Sequence, residues 1–99
     1  MYRLDFYIEL RIESEPAMVL RKSVQIPFVP AFGMNIETDT ITFEINRLGY
    51  SLKDQAFFSI LEDQNIEQED LALTAQYWIK SGFTEVDMEI FKRKESTVG

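Results

Sequence analysis

The chain has 99 residues, 45% hydrophobic and 13% aromatic, enough for one small domain with a real core and too apolar for a disordered segment. Seventeen Asp and Glu against ten Lys and Arg leave a net charge of -7, which repels phosphate backbones and argues against a nucleic-acid partner. Histidine and cysteine are absent, which excludes Ser-His and Cys-His nucleophile pairs, imidazole bases, His or thiolate metal sites and disulfides.

The chain begins with an alternation. Tyr2, Leu4, Phe6, Ile8, Leu10 and Ile12 fall between Arg3, Asp5, Tyr7, Glu9, Arg11 and Glu13, which predicts a half-buried strand. The same alternation is unlike a signal peptide, and no stretch approaches the roughly twenty apolar residues of a membrane span. With cysteine absent as well, the expectation is a cytoplasmic protein with no membrane partner. "SEPA" at 14–17 supplies turn residues; Met18, Leu20, Val24, Ile26 and Phe28 then alternate, broken only by Lys22, and predict the hairpin partner.

In "VQIPFVPAFGMNIE", residues 24–37, Pro27 and Pro30 remove ladder donors and Gly33 tolerates a positive φ. The chain should leave the sheet near Phe28. A P-x-x-P ligand is the weaker reading, because the nearest base is Lys22 and both flanks are strand-like. "TITFEINRL" at 40–48 places Ile41, Phe43 and Ile45 on one face, with Gly49 closing a third strand. "SLKDQAFFSILEDQ" suits a helix from Ser51 or a buried strand at "AFFSIL"; aromatic content and short length favour the strand.

A helix is predicted over 66–81. Asn65 and Gln68 are spaced as a capping box, Glu67, Glu69 and Asp70 fall in the first turn, Lys80 in the last, and Gly82 just beyond. Leu71, Ala72, Ala75, Trp78 and Ile79 form its sheet-facing side. Asp63, Asn65 and Glu67 resemble the start of a calcium loop, but Gln68 and Thr74 stand where that loop needs glycine and glutamate. No metal or other cofactor is expected. In "FTEVDMEIFKRK", Val86, Met88 and Ile90 point one way and Glu85, Asp87, Glu89 and Phe91 the other, which predicts a last strand.

The order β-β-β-(β)-α-β implies an α+β fold: a small antiparallel sheet or half-open barrel of four to five strands packed by one helix. Residues 1–94 form the domain and 95–99 a polar tail. "IPFVPAFGMNIE", the third strand and "YSLKD", all within 24–62, are similar to small bacterial and phage β-rich proteins in which a V/I-P-F-x-P-x-x-G turn joins two strands. That resemblance implies a bacterial or phage source and no activity.

The four glycines are too scattered for a phosphate cradle. The leading expectation is a non-catalytic protein–protein interaction module of immunity, inhibitor or adaptor type. Glu85, Asp87 and Glu89 would form an acidic row facing a basic partner, unless Arg3 and Arg11 on a neighbouring strand neutralise it. Ile66, Leu73 and Tyr77 form a second apolar line on the helix, nearly opposite Leu71, Ala75 and Trp78, suited to a homodimer or to the partner. The alternatives are a small-ligand binder using Phe28, Phe32 and Tyr50, and a carboxylate-based enzyme.

Overall fold

The computed structural model describes residues 1–98. Strands β1 (Tyr2–Ile12) and β2 (Glu15–Ile26) form the long antiparallel hairpin that the two alternations predict. Its loop is Glu13 and Ser14, at φ 51° and 64°, the sign a twist-matched type I′ turn requires at both positions. Pro16 lies where the register slips between Leu10 and Arg11, a bulge at which a missing ladder donor costs little. The chain leaves the sheet after Ile26 and passes Pro27 and Pro30 to Gly33 at φ 83°, so the proline pair marks a corner.

Strands β3 (Asn35–Glu37) and β4 (Thr42–Glu44) make a two-stranded ribbon beside the main sheet. The third strand expected over 40–48 is therefore reduced to its centre, with Phe43 and Ile45 buried. Strand β5 (Leu48–Ser51) pairs antiparallel with β6 (Ala56–Ile60), and "AFFSIL" is the buried strand. Gly49 closes nothing. It lies inside β5 opposite Phe58, where a Cβ would come within 2.4 Å of the ring.

The main sheet runs β5-β6-β1-β2-β8, with β7 (Gln64–Ile66) also on β1 and β8 being Thr84–Val86. The sheet is open. It is mostly antiparallel, as expected for this α+β fold, with β1 running parallel to both β6 and β7. The ribbon and β5 carry the chain back so that β6 re-enters alongside β1 in the same direction.

Helix α1 spans Leu71–Lys80, shorter than 66–81, because 64–66 are strand and 68–70 a single 3-10 turn. The capping box does not form: Asn65 is a strand residue whose Oδ1 accepts from Ser14 N at 2.9 Å. The helix end is as read, with Gly82 at φ 98° and Phe83 N donating to Trp78 O at 3.1 Å. Lys22, the polar interruption of β2, donates from Nζ to the Ser81 carbonyl at 2.5 Å, placing a cation at the negative end of the helix.

The last strand is the largest departure. Only Thr84–Val86 is extended; Asp87 then accepts from Glu89 N at 2.7 Å and caps a second helix, α2 (Met88–Thr97). Met88 and Phe91, three apart, face the sheet, while Ile90 is 38% exposed. The helix takes in residues 95–97 of the expected tail; Gly99 lies outside the described residues.

Two helices therefore cover the sheet where one was expected. On one face Leu4, Phe6, Ile8, Leu10 and Leu20 meet α1 and the ribbon. A chain of aromatic contacts links Trp78 to Phe83 (5.1 Å), Phe83 to Phe43 (5.9 Å) and Phe43 to Phe6 (4.4 Å). On the other face Tyr7, Val19, Phe58 and Ile60 meet Phe91 of α2. Strand β1 is thus buried on both sides, and Asp5, expected in solvent, is 1% exposed.

Candidate interaction surface

The expected acidic row is not assembled. Glu85 lies on β8, Asp87 caps α2, and Glu89 in its first turn pairs with Lys92 at 3.4 Å. Strand β2 separates β1 from β8, so Arg3 and Arg11 face other partners. Arg3 donates to both oxygens of Asp5, from Nε at 3.1 Å and from a terminal nitrogen at 2.9 Å, and Ser23 Oγ donates to Asp5 at 2.7 Å. The Asp5 hydrogen bond holds the Arg3 pKa above its ordinary value. The apolar line is also broken: Ile66 belongs to β7 and packs into the main core, while Leu73, 71% exposed, and Tyr77 remain on the outer face of α1. Phe28 and Phe32 stand exposed on the corner, apart in sequence and element from Tyr50 on β5.

Between α2 and the end of β1 lies a cleft of about 340 Å³ whose lining includes Glu9, Arg11, Arg47, Asp63 and Glu95. Most of its charges are paired, and Glu62, also in the lining, forms no ion pair among the described residues. Arg11 pairs with Glu9 and, at 3.7 Å, with Asp63, and Arg47 pairs with Glu95 at 3.9 Å. Glu9, Asp63 and Glu95 are engaged by guanidinium groups, and these pairs tie neighbouring segments together.

A different surface surrounds the turn between β5 and β6. Among the described residues no strand lies beyond β5, so its outer backbone groups face an open edge. Tyr50 and Tyr2 stand edge-on to Phe57, at 4.8 and 6.1 Å between ring centres. With Met1 and Leu52, the latter 85% exposed, they line a hollow of about 390 Å³. The turn is held by Ser51 Oγ, which accepts from Asp54 N at 3.1 Å, and by Asp54, which accepts from Lys94 of α2 at 2.5 Å. That hydrogen bond from Lys94 keeps the Asp54 carboxyl below the usual aspartate range.

The surface continues past the turn. Tyr50 and Leu52 also line a second hollow with Lys53, Arg93 and Lys94, and these three cations line a third, of about 110 Å³, with Arg21, Asp54 and Ile90. Lys94 Nζ sits 5.3 Å from the centre of the Phe58 ring. One connected surface is thus aromatic and aliphatic at the sheet edge and basic beside α2. The sequence does not reveal it, since "KRK" at 92–94 closes the segment expected as the last strand and nothing local links it to Arg21 or Lys53.

No family model, no curated protein and no solved structure matches the chain. No helix among the described residues is long and apolar enough to cross a membrane.

Proposed function

We propose that this protein is a non-catalytic protein-binding module, of immunity, inhibitor or adaptor type, that receives a partner segment along the β5 edge. One observation carries the reading: the exposed apolar and aromatic side chains of Met1, Tyr2, Tyr50 and Leu52 line one hollow, shared with Arg3 and Gln55, beside an unpaired strand edge. Contiguous exposed apolar surface marks interaction sites, and an open edge offers main-chain hydrogen bonds to an added strand. The cysteine-free composition suits a reducing cytoplasm, and the corner motif a bacterial or phage source.

Affinity purification of the tagged protein from its source cells tests the reading. Leu52→Asp and Tyr50→Ala should each lose the partner that wild type retains, while Leu73→Asp on α1 keeps it. Retention by both edge variants would refute it. A second reading rests on Leu73 and Tyr77, one turn apart on the outer face of α1, which suit a two-fold homodimer. Light scattering should then show a dimer that Leu73→Asp dissociates; a monomeric wild type rejects that reading.

A further inference from the structure

We infer that the segment received at the β5 edge is acidic: an extended peptide whose carboxylates meet Lys53 and Arg93 while its apolar side chains meet Tyr50 and Leu52. This rests on the edge being a protein-binding surface and adds the chemistry of the partner.

The protein carries a net charge of -7, yet Arg21 from β2, Lys53 from the turn and Arg93 and Lys94 from α2 converge on one small pocket containing a single carboxylate, Asp54. Lys94 engages that carboxylate. Elsewhere Arg3, Arg11, Arg47 and Lys92 each have an acidic partner. Arg21, Lys53 and Arg93 form no ion pair among the described residues. Like charges held together repel, and an anionic occupant relieves that repulsion.

The adjoining edge selects the kind of anion. A strand laid on β5 gains backbone hydrogen bonds and presents alternate side chains to the sheet surface, which the aromatic hollow accepts and a polyphosphate chain does not exploit.

The test is to pan the full chain against a random peptide library displayed on phage, then measure an enriched peptide by fluorescence anisotropy. Enriched peptides should combine Asp or Glu with aromatic or aliphatic residues. Lys53→Glu combined with Arg93→Glu, both at exposed positions, should weaken the peptide by at least about tenfold, about 1.4 kcal/mol, and flatten its salt dependence; circular dichroism checks that the variant is folded. Enriched peptides without acidic bias that still require Leu52 would overturn the acidic partner and leave the binding module standing. No enrichment would overturn both. Cosedimentation with phosphatidylserine vesicles in place of peptide binding would assign the patch to a lipid surface and also overturn the inference.

Discussion

Truncating neighbouring residues on α2 separates a helix from a strand over 88–97. Phe91 is 3% exposed and reaches the second core, 6.4 Å from the Tyr7 ring, whereas Ile90 is 38% exposed. Phe91→Ala should therefore cost about 3–5 kcal/mol, the usual price of emptying a buried phenylalanine site. Ile90→Ala, at a half-wet position, should cost about 1 kcal/mol or less. A domain of this size has roughly 5–15 kcal/mol of stability, so Phe91→Ala should remove a large part of it and lower the melting temperature by at least about 12 °C, at roughly 4 °C or more per kcal/mol. Urea unfolding followed by tryptophan fluorescence reads both variants through Trp78. An extended chain over 84–91 would put Phe91 with Glu85 and Glu89 on the outer face and Ile90 inside. A larger loss for Ile90→Ala than for Phe91→Ala would therefore refute the helix and the second core built on it.

Gly49→Ala should destabilise by about 1–3 kcal/mol, because its Cβ would overlap the Phe58 ring; an unchanged urea midpoint would show that the ring moves aside freely. Lys22→Met should cost about 1 kcal/mol by leaving the Ser81 carbonyl at the end of α1 without its cation, and equal stability would remove that role. The folded pKa of Asp54 is depressed by Lys94, so its contribution is fully present above the unfolded value of about 3.9 and is lost as pH falls through the lower folded value. The stability gap between wild type and Asp54→Asn should accordingly close in strong acid; a gap that stays constant with pH would show that the ion pair contributes nothing.

Period-two patterning made β1 and β2 legible, aromatic content and short length favoured β6, and Lys80 with Gly82 located the end of α1. The three-residue strands β3, β7 and β8 are too short to show a period. Helix α2 was concealed because Val86, Met88 and Ile90 happen to alternate with acids across the β8–α2 junction; the overlooked signal was Asp87 ahead of "MEIFKRKE", a cap before good helix formers. Missing α2 also misplaced Asp5, Tyr7 and Glu9, since a strand reads as half-buried until something covers its second face. Tyr50 was noticed as a candidate binding aromatic, but the basic half of the surface draws on positions 21, 53 and 93–94, which only the folded sheet, turn and helix bring together.

Backbone amide hydrogen exchange with and without the enriched acidic peptide tests the docking surface most directly, because β5 and its turn should open more readily than the central strands of the free protein. Peptide should slow exchange at Leu48–Ser51 and in the turn leading to β6, leaving the outer face of α1 unchanged. Protection confined to α1 around Leu73 and Tyr77, or to the cleft beside Glu9 and Arg47, with β5 exchanging as before, would contradict docking at the sheet edge.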